Sequence, residues 1–314
     1  MENIVTITNL KKQFGTNTAV DGIDLQVRQG EIFGFLGPNG AGKTTTLRML
    51  TTLLSFDEGE VIINGYNVAT QSHLVRKQIG YVGQKGGSDN SATGRENLLL
   101  QGRLYGLSKQ ETKQETDKLI EVFALEDCID RFVKTYSGGQ QRRLEVALGM
   151  MNQPKVLFLD EPTTGLDPQN RANLWTQIQK LNEMGVTIFI TSHYLEEVDF
   201  LAHRLAIMDK GKIVAVDTPT ALKQQISGEI VDIGFDHTTH HQVVTQFNDL
   251  EFVREISKEE NRVRLYVENG PTALPHILRL LDEKSIPLDT LKLSIPTLND
   301  VFLKKTGRNL REGK

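Results

Sequence analysis

The nonapeptide GPNGAGKTT, at residues 37–45, sets two glycines separated by four residues ahead of Lys43 and Thr44, the spacing of a phosphate-binding loop. Residues 31–36, EIFGFL, form a short apolar run that fits a buried strand, and residues 45–54 carry the apolar spacing of a helix. Strand, loop and helix in that order commit the chain to an α/β fold with the loop at a strand end. Gly37, Gly40 and Gly42 remove the side chains that would hold the backbone away from a polyphosphate, so successive N–H groups can turn inward. Lys43 supplies a point charge for β and γ phosphates, Thr44 a hydroxyl for Mg²⁺, and the helix N-terminus adds its partial positive charge.

A second acidic feature lies at residues 155–162, KVLFLDEP, where an apolar strand runs into Asp160 and Glu161. Two carboxylates at the end of a buried strand are costly unless something there requires negative charge. Open α/β sheets bind ligands beyond the carboxyl ends of their strands. The chemical reading is that Asp160 serves Mg²⁺, directly or through water, and that Glu161 polarises an attacking water; the alternative is a solvated turn. Residues 186–190 read as another buried strand, delivering His193 to the same edge. Residues 78–84 read as a strand ending on Gln84, and residues 205–209 and 212–216 as a closing hairpin.

The stretch between Gln84 and Asp160 is mostly α. Thr93 is placed to cap one helix, and Ser108 with Glu111 forms a capping-box pattern for the next. YSGGQ, residues 136–140, opens a further helix, where Ser137, Gly138 and Gly139 expose N–H groups either as a plain cap or as an anion nest. Near the N-terminus, residues 4–7 and 22–27 read as strands, with Phe14 between them as a packing or stacking aromatic.

The C-terminal part has its own order. Val231, Ile233 and Phe235 alternate, residues 241–247 read as helical, and residues 252–256 and 263–267 as a hairpin. Thr272 is placed to cap a helix running to Lys284, and Leu291 and Leu293 lie on a final strand, which makes a β, α, β, β, α, β ferredoxin-like layer. His237, His240 and His241 read as a polar turn rather than a metal cluster, and the tail bearing Lys304, Lys305, Arg308, Arg311 and Lys314 as solvated.

Length and charge narrow the function. At 314 residues two domains are expected, and a net charge of -4 with pI near 6.0 argues against a protein that works by neutralising nucleic-acid phosphates. The single cysteine, Cys128, forms no intrachain disulfide, no metal spacing is present, and the N-terminus lacks the pattern of a secretory signal. A cytoplasmic protein is expected. No run approaches the roughly eighteen apolar residues that span a bilayer, so any membrane path belongs to another chain.

Taken together, GPNGAGKTT, Gln84, YSGGQ, VLFLDEP with GLDP, and His193 resemble the nucleotide-binding subunit of ATP-binding-cassette (ABC) transporters over residues 4–220. The resemblance implies an α/β P-loop NTPase cassette with a mixed core sheet, an N-terminal antiparallel β portion and a helical subdomain at about residues 86–152. The expected boundaries are 1–222 for the ATPase domain and 228–314 for a C-terminal α+β domain with its basic tail. The resemblance places Phe14 on adenine, and Gly37, Pro38, Asn39, Gly40, Ala41, Gly42, Lys43, Thr44 and Thr45 on the phosphates. Thr44, Gln84 and Asp160 fall near Mg²⁺, and Glu161 is the general base. Asp167 falls at a dimer contact and His193 against the γ-phosphate. Ser137, Gly138, Gly139 and Gln140 match the signature loop, which acts on ATP held by a second nucleotide domain, so the family logic implies a dimer, either of identical chains or with a related subunit. Tyr136 stands where the family usually has Leu. TGREN at residues 93–97 and the segment TLNDVFL at residues 297–303 are similar to the daunorubicin-resistance type of ABC-2 exporter ATPase. That similarity implies a separate membrane permease and efflux of a drug or other small amphipathic molecule, with the chain on the inner face of the membrane. Sodium, lipid or glycan export fits the same class. A soluble ABC ATPase acting on ribosomes or DNA is the contrasting reading, and the chain lacks the doubled cassette or coiled-coil insertion of such proteins.

Overall fold

A computed structural model of the chain describes residues 2–226, 228–234, 247, 250–259, 262–284 and 286–307. The chain divides into two compact units, Met1–Thr218 and Pro219–Asn309.

In the first unit, β1 (Asn3–Phe14) and β2 (Asn17–Arg28) form a long antiparallel ribbon. β3 (Ile32–Leu36) is buried at every position and runs into residues 37–42, after which α1 (Lys43–Leu50) begins. α1 stops at Leu50 rather than near residue 54, because the N–H groups of Leu53 and Leu54 both turn back to the carbonyl of Arg48. β4 (Glu58–Ile63) joins β1, and the short β5 (Tyr66–Asn67) completes an antiparallel sheet in the order β2-β1-β4-β5. α2 (Ser72–Gln78) then leads into β6 (Ile79–Val82).

The helical stretch contains α3 (Gly94–Leu104), α4 (Lys109–Val122) and α5 (Gly138–Met150). Each begins on a capping box: Thr93 with Glu96, Ser108 with Glu111, and Ser137 with Gln140. At α4, Ser108 Oγ accepts from the Glu111 N–H at 3.2 Å, while Glu111 Oε2 accepts from the Ser108 N–H at 2.8 Å. Ser108→Ala removes half of that exchange far from the phosphate loop. It is expected to cost about 1 kcal/mol of stability, read as a lower denaturation midpoint with ATP turnover unchanged.

β7 (Val156–Asp160), α6 (Pro168–Glu183), β8 (Thr187–Ser192), α7 (Leu195–Leu201) and the hairpin of β9 (Arg204–Asp209) and β10 (Lys212–Asp217) complete the unit. The core sheet has the order β10-β9-β3-β8-β7-β6, parallel from β9 to β6 with β10 antiparallel at its edge. Alternation within each strand divides the core. Phe33, Phe35, Phe158 and Phe189 pack on one face against the antiparallel sheet and α1, with ring centroids 5.5–5.6 Å apart. Ile32, Leu157, Leu159, Ile188 and Ile190 pack on the other face against the helices. Burial on both faces leaves the strand ends as the place where polar groups can gather.

The second unit begins with α8 (Pro219–Gln224) and contains β11 (Glu229–Gly234), β12 (Val253–Glu259), β13 (Arg262–Val267) and β14 (Thr290–Ser294) in an antiparallel sheet ordered β12-β13-β11-β14. That is the strand order of a ferredoxin-like layer. Val231, Ile233, Val263 and Leu265 pack with Ala273, Ile277 and Leu281 of the helix Gly270–Glu283. The cap of this helix is Asn269, not Thr272. Asn269 Oδ1 accepts from the Thr272 N–H at 3.0 Å, and Pro271 fits the first turn because its missing N–H has no partner to lose there. In the helix Leu298–Thr306, Lys304 pairs with Glu255 at 2.8 Å. Phe235, His237, His240, His241, most of the helix expected at 241–247, and the tail residues Arg308, Arg311 and Lys314 lie outside the described residues. Among the described residues no helix is long and apolar enough to cross a membrane.

Candidate functional site

Residues 37–42 wrap the start of α1 because their backbone adopts shapes that side chains oppose. Gly42 has φ of 108°, and a Cβ there would come within 2.4 Å of the Ala19 carbonyl; at Gly37 a Cβ would meet the Met208 carbonyl at the same distance. The loop is therefore clasped between the β1–β2 ribbon and β9. Lys43 is buried, and its Nζ donates to the carbonyls of Gly37 at 2.7 Å and Pro38 at 3.1 Å. Ala41 ties the loop to the β9–β10 turn, its carbonyl accepting from the Gly211 N–H at 2.9 Å.

The parallel strands bring the carboxylates to this lysine. Lys43 Nζ lies 3.3 Å from Glu161 Oε1, and the other oxygen of Glu161 lies 2.9 Å from His193 Nδ1. Glu161 has φ of 45°, a left-handed conformation that costs a non-glycine residue about 1–3 kcal/mol. The turn is held because the Glu161 N–H donates to both the carbonyl and the hydroxyl of Thr191 on β8. Burial pushes the Glu161 carboxyl up, but the His193 hydrogen bond and the Lys43 charge outweigh it, and the group sits below the ordinary carboxylate range. Burial also lowers the Lys43 ammonium below its usual value, against the pull of Glu161 and Asp160.

Asp160 is shielded behind these groups, 1% exposed. Its Oδ1 accepts from the Thr191 hydroxyl at 2.7 Å and the Thr44 hydroxyl at 3.1 Å, and Gln84 Nε2 approaches Thr44 Oγ1 at 3.5 Å. Burial raises the Asp160 carboxyl above its ordinary range despite the two hydroxyl donors. Thr44, Gln84 and Asp160 thus gather a hydroxyl, a carboxamide and a buried carboxylate, whose oxygens form a donor set that fits Mg²⁺.

A 510 Å³ cleft opens over this cluster, lined by Phe14, Asn39, Gly40, Gly42, Lys43, Thr44, Thr45, Gln84 and Glu161 together with Lys210 of the β9–β10 turn. Phe14 is half exposed at its mouth, with Lys12 Nζ 5.5 Å from the ring centroid. Gly37, Pro38 and Ala41 do not line the cleft; the carbonyls of Gly37 and Pro38 instead accept from Lys43. Ser137, Gly138, Gly139 and Gln140 do not line the cleft. They start α5 beside the first turn of α6, where a Cβ on Gly139 would reach within 2.2 Å of Asn170 Oδ1 and where Asp167 caps α6 through the Asn170 N–H at 3.0 Å. Sequence reasoning missed Thr191 as a link between Asp160 and Glu161, and it missed Glu197. That carboxyl is wholly buried on α7, accepts from the Trp175 indole at 3.1 Å, and is raised by burial.

A phosphate loop at the end of a parallel strand, with an acid pair at the end of the strand two places along the same sheet, defines a P-loop nucleotide-binding protein. The ABC transporter family profile matches residues 20–164, and the profile of the C-terminal domain of DrrA1-3-like ATP-binding proteins matches residues 218–306. The daunorubicin resistance ATP-binding protein DrrA2 of Streptomyces coeruleorubidus is 41% identical over 302 residues, covering 95% of this chain and 93% of its own length. The linearmycin resistance ATP-binding protein LnrL of Bacillus subtilis is 33% identical over 306 residues, 97% of this chain and 98% of its own length. A solved dimeric ATP-binding cassette in a post-hydrolysis state, bound to ADP and Pi, superposes with a TM-score of 0.62 at 26% identity, over 68% of this chain and 98% of that one. The chain belongs to the ABC transporter ATP-binding subunits, and it is an ATPase.

Proposed function

We propose that this ATPase works as a dimer around two Mg·ATP and drives an ABC-2 type export permease carried on a separate chain, at the inner face of the membrane. The observation that carries the reading is the separation of two phosphate-binding elements. Lys43 and the residues 37–45 loop line the cleft, whereas the Ser137, Gly138, Gly139 and Gln140 N-terminus stands outside it, open to act on ATP held by another subunit. Both halves are intact, so two identical chains can build two competent sites; a related subunit can take the place of one of them.

Within the site, Phe14 stacks on the adenine and Lys43 with the loop N–H groups holds the phosphates. Thr44, Gln84 and Asp160 would hold Mg²⁺, which when bound neutralises phosphate charge. Glu161 takes the proton of the attacking water, and its position between Lys43 and His193 fixes the carboxylate orientation. His193 reports the γ-phosphate, and Asp167 lies at the dimer contact. The γ-phosphate is bound from both subunits only in the closed dimer, so its loss on hydrolysis favours reopening. Gln84 lines a second cleft as well, with Tyr81, Lys85, Gln101 and Tyr105. Beside it the α3 residues Leu100 and Leu104 are exposed, which supports this face as the place where the change reaches the permease.

The names of the relatives, resistance proteins for daunorubicin and for linearmycin, favour efflux of a drug or other small amphipathic molecule. The test is isolation of the native chain from detergent-solubilised membranes. Co-purification with an integral-membrane protein whose presence stimulates ATP turnover is the expected result. Recovery with ribosomes or DNA, and none with membranes, would overturn the transport assignment.

A further inference from the structure

Arg142, on the helix that begins at Ser137, is 7% exposed, and its guanidinium reaches three main-chain carbonyls past the ends of two neighbouring strands. Nε donates to Pro162 O at 2.7 Å, Nη1 to Gly83 O at 2.8 Å and Nη2 to Asp160 O at 3.3 Å. Gly83 immediately precedes Gln84, Asp160 is itself in the oxygen cluster, and Pro162 immediately follows Glu161. Nη1 also meets Glu145 Oε2 at 2.8 Å, one turn along α5, which balances the buried charge. Glu145 in turn abuts the loop after Gln84, since a Cβ on Gly86 would come within 1.7 Å of its Oε1.

Carbonyls at the ends of buried strands have no ladder partner and must be satisfied by some donor. A single planar guanidinium satisfies three of them from separate nitrogens held in a rigid fork, a spread that the single, freely rotating nitrogen of a lysine does not match. We infer that Arg142 is a positioning residue for ATP hydrolysis, clamping the helix that presents Ser137, Gly138 and Gly139 to the segments that carry Gln84, Asp160 and Glu161. The inference rests on the roles proposed above for those residues. Any tilt of α5 is transmitted through this fork to the strand ends, and any shift of Glu161 or Gln84 acts back on α5.

The test measures kcat and KM for ATP in the full-length chain. Arg142→Lys keeps a positive charge beside Glu145 but loses the fork. It is expected to lower kcat by about tenfold to a hundredfold, as small misplacements of reacting groups do, while KM stays within about threefold. The double change Arg142→Met with Glu145→Met removes the clamp without leaving a lone buried charge. It is expected to melt near wild type and to show the same loss of kcat. A folded Arg142→Lys or double variant with kcat within about threefold of wild type overturns the inference. So does unfolding of both variants, which would make Arg142 a stability element only. Glu161→Gln run in parallel separates the failures: if it retains turnover, the assignment of the acid pair is at fault; if it is inactive while the Arg142 variants are not, only the clamp is.

Discussion

Glu161→Gln is expected to lower ATP turnover by about a hundredfold to ten-thousandfold, the usual cost of losing a general base. Glutamine has nearly the same shape, and its carbonyl can still accept from Lys43, now 3.3 Å from Glu161 Oε1. Its amide can still face His193 Nδ1, 2.9 Å from Oε2. What is lost is the basic oxygen. ATP therefore still binds, and because hydrolysis no longer removes the γ-phosphate, the closed dimer accumulates. Size-exclusion chromatography with ATP should show a dimer in this variant; a monomer throughout, or turnover near that of wild type, would sink the assignment.

Lys43→Ala is expected to abolish tight nucleotide binding. A hydrogen bond to a charged group contributes about 1.5–3 kcal/mol, and at roughly 1.4 kcal/mol per factor of ten the loss approaches a hundredfold in Kd. The electrostatic setting adds to it. Without the ammonium, the negative charge of Glu161 loses its lysine partner and keeps only hydrogen bonds to His193 and Thr164, and that charge repels a polyphosphate. Calorimetry on the folded variant, checked by its melting curve, is the measurement. Unchanged affinity would refute the phosphate-loop assignment.

Much of the site was legible because its signals are local. The capping boxes at Thr93 and Ser108 are exchanges between residues three apart, and such exchanges are written into the order of side chains. The loop glycines are likewise local, since Gly42 is required by its own φ and by the Ala19 carbonyl above it. The errors are local as well, at the ends of elements. α1 stops early because the Arg48 carbonyl captures two N–H groups, and the helix Gly270–Glu283 is capped by Asn269 because that side chain accepts from the Thr272 N–H.

The sequence by itself determined the residue types and their chemistry: the loop from Gly37 to Thr45, the acids Asp160 and Glu161, His193, and a second phosphate-binding element at Ser137. Tertiary structure alone decided which of these meet. Thr44 and Asp160 are 116 positions apart in sequence, and their 3.1 Å contact follows from the strand order β3-β8-β7, which sets one strand between the loop and the acid pair. That intervening strand supplies Thr191, whose hydroxyl and carbonyl bind Asp160 and Glu161, and no motif marks it. Arg142 was equally hidden, because apart from Glu145 its partners are backbone carbonyls, which every residue carries. The Ser137 loop was visible as a binding element, but its position outside the cleft depends on how α5 packs on α6, and that packing is a property of surfaces brought together by folding rather than of spacing along the chain.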